Sequence, residues 1–277
     1  MELYRTTSLA LSKTLTKAYT SSFYAGMRLL NPADRKAIYA IYGFVRIADE
    51  IVDTFHGFDQ KGLLEEFKAE TYRAIERGVS ANPILHSYQW VVNTYKMDLE
   101  LTDSFFASME MDLVKSNHNA ESYNQYIYGS AEVVGLMCLS VFYVDDKETF
   151  NSLLQPARKL GEAFQKINFL RDIKADMDER GRVYFPGLEI DTFDANTKKI
   201  IEKEVKSDFK EALPGIRQLH KGARLGVYLA YRYYYQLLLK IEKMSPDQLL
   251  ARRARITNRY KFLLLVKSYI RFKLGWI

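Results

Sequence analysis

Cysteine is almost absent from this sequence of 277 residues, and Cys138 is its single thiol. One thiol cannot form a disulfide within the chain, so disulfide-stabilised folds are excluded and a reduced, cytoplasmic compartment is expected. The N-terminal stretch MELYRTTSLALSKTLTKAYT has neither an apolar core nor a small-residue cleavage site, so no signal peptide is predicted. No window approaches the ~20 apolar residues of a membrane-spanning helix.

Glycine and proline are sparse, with 14 and 6 residues respectively. Few chain breaks favour long helices over many short strands. Because no linker rich in Pro, Gly or Ser interrupts the chain, we expect one all-α domain over residues 1–277. Asn31-Pro32 predicts a helix start, since it joins an N-cap residue to proline at the first helical position. The pattern predicts a loop from Gly181 to Pro186, a break near Pro156, and helices over 33–55, 62–77, 83–96, 102–116, 121–142, 146–178, 196–220, 222–243 and 246–274.

The formal net charge is +6, from 40 Lys and Arg against 34 Asp and Glu. This surplus suits an anionic partner: nucleic acid, an acidic membrane surface or a phosphorylated small molecule. Nucleic acid is disfavoured, because the basic residues are scattered and central carboxylates would repel phosphate without a metal. The C-terminal stretch YKFLLLVKSYIRFKLGWI is either a core helix with a basic edge or a segment in peripheral contact with an anionic membrane.

A polar stripe runs through the apolar helix predicted at 33–55. Its members stand at i, i+4, i+7, i+11 and i+14, spacings that share one helical face: Tyr42, Arg46, Asp49, Asp53 and His56. Asp49 and Asp53 lie one turn apart, and like charges at that spacing weaken a helix unless a cation lies between them. The apolar residues of this helix, among them Ile41, Val45 and Phe55, are expected to face a core.

The segment LGEAFQKINFLRDIKAD repeats this arrangement. Its polar residues stand at i, i+3, i+7 and i+11, with Arg171 beside them: Gln165, Asn168, Asp172 and Asp176. For either aspartate pair alone, a solvated helix edge is about as good an explanation as a functional site. Two such pairs, each beside an arginine on an apolar helix, favour one shared site.

The residue types in these stripes predict a magnesium site. Carboxylate clusters suit hard divalent cations, above all Mg²⁺ with Mn²⁺ as a substitute, which bridge to phosphate oxygens. Arginines match phosphate geometry in a bidentate way. The four histidines form no ligand-spaced group, which disfavours zinc. No glycine-rich dinucleotide motif is present, which is only weak evidence against the use of NADPH.

Four blocks, in this order, resemble the squalene/phytoene synthase family: SSFYAGMRLL, YAIYGFVRIADEIVD, YIYGSAEVVGLM and LGEAFQKINFLRDIKADMDERGRVYFP. The resemblance is strong from Ser21 to Pro186, and its YGFVR and AEVVGLMC variants are most similar to bacterial phytoene synthases. It implies an all-α, isoprenoid-synthase-type helical bundle around a central active-site cavity.

The resemblance also implies roles for individual residues. It implies metal coordination by Asp49, Asp53, Asp172 and Asp176, assisted by Asn168. It implies diphosphate contacts from Arg46, Arg171 and Arg182, and hydroxyl contacts to phosphate from Thr20, Ser22 and Tyr42. Gln165 matches a cavity-lining position, and Tyr126 matches a tyrosine near the reacting carbons. Tyr42 and Tyr126 are equally well explained as core tyrosines and Ser22 as a helix cap, and no role is implied within ARRARITNRYK.

The reaction implied by the resemblance is a head-to-head condensation of two prenyl diphosphates through a cyclopropyl diphosphate. Phytoene from two geranylgeranyl diphosphates is the first expectation, and it needs no NADPH. Dehydrosqualene or squalene from two farnesyl diphosphates is the alternative. A non-catalytic relative that acts in assembly or lipid binding is disfavoured by the two intact aspartate pairs. The sequence does not indicate an oligomeric state.

Overall fold

The computed structural model describes residues 1–114, 117–178, 182–187 and 193–277, and this described part is helical without a β-strand. Asn117 and Val183 form an isolated bridge. The helices are α1 (Glu2–Tyr19), α2 (Ser21–Met27), α3 (Pro32–Asp53), α4 (Gln60–Arg77), α5 (Pro83–Thr94), α6 (Leu99–Val114), α7 (Ala120–Ile127), a π-helical segment (Tyr128–Glu132), α8 (Val133–Phe142), α9 (Lys147–Asp178), α10 (Ala195–Gln218), α11 (Lys221–Ile241), α12 (Pro246–Ala251) and α13 (Asn258–Lys273).

Helix boundaries follow the capping residues in the sequence. The Asn31 side chain accepts a hydrogen bond of 2.9 Å from the backbone N–H of Asp34, with Pro32 at the first helical position. This confirms the predicted start of α3. Helix α4 ends at Gly78, whose φ of 67° is accessible to glycine at little cost.

The two N-terminal helices were not predicted from the apolar pattern. Helix α1 packs through small polar residues instead, because Ser8, Ser12 and Thr16 are its buried positions. A methyl group added to Gly43 would lie 3.1 Å from the Ser12 hydroxyl, which shows how closely α1 and α3 approach. A helix buried through serine and threonine carries little hydrophobic periodicity, so the pattern missed it.

Four other predictions are corrected. The helix predicted over 121–142 changes to π-helical pitch at Tyr128–Glu132, and the one predicted over 246–274 is two helices, α12 and α13. Helix α9 continues through Pro156 without the predicted break. Phe55, expected in the core, is 40% exposed because α3 ends at Asp53. The loop predicted from Gly181 is non-helical over 182–186, while Gly181 lies outside the described residues.

Two large apolar clusters form most of the core of the described residues, and a small third cluster joins α11 to α13. One is centred on α3, α5, α6 and α8, where the rings of Phe44 and Tyr88 stack with centroids 3.8 Å apart. The other joins α9, α10 and α11. Contrary to the expectation from the sequence, one run within the described residues, Ala120–Phe142, is long and apolar enough for a membrane span, and 61% of its most apolar window is buried in the fold. Its hydrophobicity therefore fits a core position between the two clusters.

Candidate active site

A cavity of about 490 Å³ lies between the two core clusters. Its walls come from α2, α3, the π-helical segment, α8, α9, α10 and α11. One end is apolar and is lined by Leu30, Ile38, Phe142, Leu153, Ile216 and Leu219, among others. A cavity of this kind can enclose an apolar chain and exclude water from it.

The other end of the cavity is polar, and most of the predicted site residues lie there. Helices α3 and α9 each turn part of their polar stripe toward it. The structure thus brings together seven of the predicted residues in one wall: Thr20, Tyr42, Arg46, Asp49, Gln165, Asn168 and Arg171. Their convergence follows from two amphipathic helices whose polar stripes face each other rather than solvent.

Arg46 balances the carboxylates of α3. Its Nη1 lies 3.9 Å from Oδ2 of Asp49, and its Nη2 forms an ion pair with Glu50. The guanidinium also stacks over the Tyr19 ring, 4.4 Å from its centroid. Arg46 is thus oriented by three neighbours while it faces the cavity. The Tyr42 hydroxyl stands beside it, and burial raises the pKa of that hydroxyl against the lowering effect of Arg46.

On α9, Asp172 lies between two arginines. Arg171 Nε donates to Asp172 Oδ1 at 3.0 Å, and Arg253 Nη2 donates to Asp172 Oδ2 at 3.0 Å. Arg253 also lines the cavity, with its side chain 48% exposed, so the polar end opens to solvent here. The mouth of the cavity therefore carries a carboxylate held between two guanidinium groups.

Asn168 and Tyr234 connect α9 to α11 at the polar end. The Tyr234 hydroxyl donates to Oδ1 of Asn168 at 3.3 Å, and Asn168 Nδ2 donates to Oε1 of Gln165 at 3.3 Å. The Tyr234 ring stacks on Phe164 with centroids 4.2 Å apart. These contacts fix the amide so that its donor and acceptor atoms are both engaged.

The second aspartate of each pair lies behind the cavity wall, where Arg182 joins them. Arg182 Nη1 donates to Oδ1 of Asp53 at 2.7 Å, and its backbone N–H donates to the carbonyl oxygen of Asp176 at 2.8 Å. Arg182 Nη2 also donates to the backbone oxygen of Val52 at 3.0 Å. The segment that follows α9 is thereby attached to the C-terminal end of α3.

The buried carboxylate of Asp112 on α6 forms an ion pair with Arg182. It lies 3.4 Å from Arg182 Nη1 and accepts hydrogen bonds from the hydroxyls of Tyr126 at 2.8 Å and Tyr184 at 3.1 Å. Burial raises the pKa of Asp112 to about 7, against the lowering effect of Arg182. Tyr126, predicted near the reacting carbons, is 3% exposed and lies in this layer rather than in the cavity wall.

The π-helical segment brings backbone close to α6 and α9. A methyl group on Gly129 would lie 2.3 Å from the Ser104 carbonyl oxygen, and one on Gly161 would lie 2.5 Å from that of Ala131. Only glycine permits these approaches. Ser130 and Ala131 of the same segment line the cavity, and π-helical turns frequently occur at functional sites.

The hydroxyl residues that precede α3 differ in whether they line the cavity. Thr20 caps α2 by accepting the backbone N–H of Phe23 at 3.3 Å, and it lines the cavity. Ser22 is half-buried in the first turn of α2 and is absent from the cavity wall, and Thr20 holds the capping position considered for it. Ser21, between them, accepts a hydrogen bond of 2.7 Å from Lys261 Nζ. Burial, with Arg171 nearby, lowers the pKa of Lys261.

An acidic cluster elsewhere is already occupied by a lysine. Glu162, Glu204 and Asp208 lie close enough together to hold an ion. Lys166 fills the space between them, with Nζ 2.6 Å from Glu162 and 2.9 Å from Asp208. Burial alone would lower the pKa of Lys166, but the carboxylates outweigh it and the pKa is raised. This cluster joins α9 to α10 through an internal ammonium group.

Sequence reasoning missed four residues around the site: Asp112, Tyr234, Arg253 and Lys261. The only available signal was the basic segment ARRARITNRYK, which contains Arg253 and Lys261 and for which the resemblance implied no role. Asp112 stands on α6 without an acidic partner at helical spacing, so no pattern marked it.

The sequence and the fold both match known proteins. The squalene/phytoene synthase family model matches residues 16–260. The chain is 30% identical to a chloroplastic phytoene synthase of an Oncidium hybrid cultivar, covering 92% of this chain and 66% of that protein. It is 29% identical to the 15-cis-phytoene synthase of Synechocystis sp., covering 93% and 83%. The chain thus spans about two thirds of the plant relative's length.

Solved structures share the helical architecture. A dehydrosqualene synthase in complex with ligand superposes with a TM-score of 0.83 at 21% identity, covering 97% of this chain and 98% of that one. Squalene synthase HpnC from Alicyclobacillus acidocaldarius superposes with a TM-score of 0.75 at 19% identity, covering 87% and 95%. The fold is the isoprenoid-synthase helical bundle expected from the resemblance. The chain therefore belongs to the squalene/phytoene synthase family of prenyltransferases.

Proposed function

We propose that this chain joins two geranylgeranyl diphosphates head to head to form phytoene. The observation that carries this proposal is one cavity with a long apolar end and a charged mouth. Leu153 and Asn168 line it from positions 15 residues apart on α9, which corresponds to about 22 Å of helix. A C20 prenyl chain, with about 15 main-chain carbon–carbon bonds of about 1.5 Å in zigzag, extends over about 19 Å. The wall thus has the length for a C20 chain.

The aspartates fit a divalent metal. Asp49, Asp53, Asp172 and Asp176 offer only oxygen atoms, and Asn168 adds an amide oxygen, a donor set suited to Mg²⁺ and equally to Mn²⁺. Asp49 and Asp172 lie toward the cavity mouth, whereas Asp53 and Asp176 meet Arg182. When bound there, Mg²⁺ would neutralise negative charge on the diphosphate leaving group.

The basic residues would bind the diphosphates themselves. Arg46, Arg171 and Arg253 line the polar end, and Lys261 lies beside Ser21 at the same end. Fixed guanidinium groups stabilise the charge that develops on a departing diphosphate. We assign Arg182, which is hydrogen-bonded to Asp53, to a further diphosphate contact, and we assign Thr20, Ser22 and Tyr42 to hydroxyl contacts with phosphate. Gln165 would orient Asn168, with which it shares a hydrogen bond.

The apolar walls would protect the allylic cation. Water near that cation would end the reaction early. The far end of the cavity has few polar groups that could bind water. After loss of the first diphosphate, the double bond of the second substrate attacks, and proton loss closes the cyclopropane ring. We propose the departing diphosphate as the proton acceptor. Tyr126 would hold Asp112, and through it Arg182, in place.

A second candidate function is the condensation of two farnesyl diphosphates to dehydrosqualene or squalene. The superposition on a dehydrosqualene synthase at a TM-score of 0.83 favours it as the alternative. A non-catalytic role in assembly or lipid binding remains third, because both aspartate pairs and the cavity are retained. We further propose that residues 1–277 act as one catalytic unit, that NADPH is not used, and that the protein works in the cytoplasm.

The test supplies purified protein with C15 or C20 prenyl diphosphate, Mg²⁺, and NADPH present or absent, and identifies the hydrocarbon. We expect phytoene from the C20 substrate without NADPH. Squalene formed only with NADPH would overturn the proposal. Asp49→Ala and Asp172→Ala are expected to abolish turnover while circular dichroism stays helical, and the exposed Asp145→Ala serves as the control. Near wild-type turnover by either of the first two variants would contradict the metal site.

A further inference from the structure

The outer side of α13 carries a row of exposed apolar side chains. Phe262 is 66% exposed and Ile270 is 49% exposed. Between them stand Val266 and Tyr269, so the row follows the i, i+4, i+7, i+8 spacing of one helical face. After the helix ends, the row continues with Leu274 and Trp276, which is 63% exposed.

The opposite side of α13 is anchored to the protein. Leu264 is 1% exposed and packs with Leu229 and Tyr233 of α11. The Tyr233 hydroxyl donates to the backbone oxygen of Lys261 at 3.0 Å. Because one side of α13 is fixed in the core, the apolar row on the other side is directed away from the protein.

The charge of the C-terminal segment that carries this row has a single sign. From Gln248 to Ile277 the chain contains eight Lys and Arg and no Asp or Glu. Five of the eight lie on α13: Arg259, Lys261, Lys267, Arg271 and Lys273. We define the α13 face as Phe262, Val266, Tyr269, Ile270, Leu274 and Trp276 together with the flanking Arg259, Lys267 and Lys273. A basic helix with exposed aromatic and aliphatic residues matches the composition of helices that lie in a membrane interface.

A second copy of the chain fits this face poorly. In a two-fold symmetric contact the same patch meets itself, so each basic residue would be brought near the basic residues of the other copy. Like charges in contact raise the free energy of association. An anionic bilayer offers both the apolar medium and the opposite charge.

The α13 face begins beside the mouth of the cavity. Lys261 contacts Ser21, the neighbour of the cavity-lining Thr20. Arg253, five residues before α13, itself lines the cavity. A membrane on the α13 face would therefore lie close to the opening through which an apolar ligand enters or leaves.

We propose that the α13 face binds the anionic surface of a lipid bilayer, with α13 lying in the plane of the interface. This binding does not depend on the product that the cavity makes. The aromatic and aliphatic side chains insert between headgroups, and the lysines and arginines contact the lipid phosphates.

The test is sedimentation of the full chain with vesicles of phosphatidylcholine, with or without phosphatidylglycerol. We expect binding to the phosphatidylglycerol vesicles, weaker binding at high salt, and little binding to phosphatidylcholine alone. The double variant Lys267→Glu/Lys273→Glu is expected to lower the affinity for anionic vesicles at least about tenfold. The double variant Phe262→Ser/Ile270→Ser tests the apolar row in the same assay.

The matched control lies on α10, where Ile200 is 60% exposed and Lys210 is exposed. Ile200→Ser/Lys210→Glu is expected to bind as the wild type does. Equal loss in this control, or equal sedimentation with both vesicle types, would overturn the proposal. So would self-association of the wild type that Phe262→Ser/Ile270→Ser abolishes, because a second copy would then cover the face. If the serine variant fails to fold by circular dichroism, the charge-reversal variant decides.

Discussion

Arg253 donates to Asp172 across 81 positions of the chain, with Nη2 and Oδ2 separated by 3.0 Å. Asp172 also accepts from Arg171, so the carboxylate lies between two guanidinium groups at the mouth of the cavity. The contact attaches the segment between α12 and α13 to the C-terminal part of α9. Arg253, which belongs to none of the motifs recognised in the sequence, therefore lies beside the second aspartate pair.

Arg253→Ala is expected to weaken the binding of prenyl diphosphates. Hydrogen bonds to charged groups contribute about 1.5–3 kcal/mol, so kcat/KM should fall about 10- to 100-fold. Steady-state kinetics with the C20 substrate measure this change. Arg252→Ala, at an exposed neighbour outside the cavity wall, is the matched control. Equal effects of the two substitutions would show that Arg253 does not act at the site.

Leu153→Trp is expected to shorten the cavity at its far end. Leu153 is 2% exposed and lines the wall, so a larger side chain must extend into the cavity or strain the core. The ratio of C20 to C15 turnover should fall at least about tenfold, because a few methylene groups decide binding in an apolar pocket. Competition between the two substrates measures the ratio. Gln155→Trp, two positions away on the exposed side, should leave it unchanged, and an unchanged ratio in Leu153→Trp would refute this position for the chain end.

Asp112→Asn is expected to alter how stability depends on pH. Burial raises the pKa of Asp112 to about 7 from the ordinary aspartate value of 3.8, so between these values the folded state binds more protons than the unfolded chain. The free energy of unfolding therefore falls as the pH rises, by up to about 4 kcal/mol. Asparagine cannot ionise, and in the variant this fall should be absent.

Urea unfolding from about pH 4 to pH 7 without divalent metal measures the effect, since the proton release spans that range. Asp145→Asn, at a carboxylate with 83% side-chain exposure, serves as the control. A stability curve of the same slope in wild type and Asp112→Asn would rule out this titration.

Cys138 is expected to react slowly with iodoacetamide. Burial raises the pKa of its thiol to about 12, and the thiolate is the reactive form. Because Cys138 lines the cavity, a non-reactive prenyl diphosphate analogue should slow the reaction further. Mass spectrometry is unambiguous here, since the chain has one cysteine, and the urea-unfolded chain is the control. Lack of protection by the analogue would argue against prenyl binding in this cavity.

Much of the architecture was predictable from local patterns. The start of α3 at Pro32 follows from its cap, and part of each polar stripe, Tyr42, Arg46 and Asp49 on α3 and Gln165 and Asn168 on α9, lines one cavity. Two features were not predictable. Helix α1 buries serine and threonine rather than apolar residues, and the π-helical turn at Tyr128–Glu132 depends on glycine contacts with α6 and α9.

The sequence by itself determined most of the helices, the two aspartate pairs and the arginines beside them, because helical spacing is a local property of the chain. Tertiary structure alone decided that Asp49 and Asn168 face one cavity while Asp53 and Asp176 meet Arg182 behind it. It also decided that Arg253 reaches Asp172. Contacts between residues far apart in the chain depend on how the helices pack, and helical spacing within one segment carries no information about that packing.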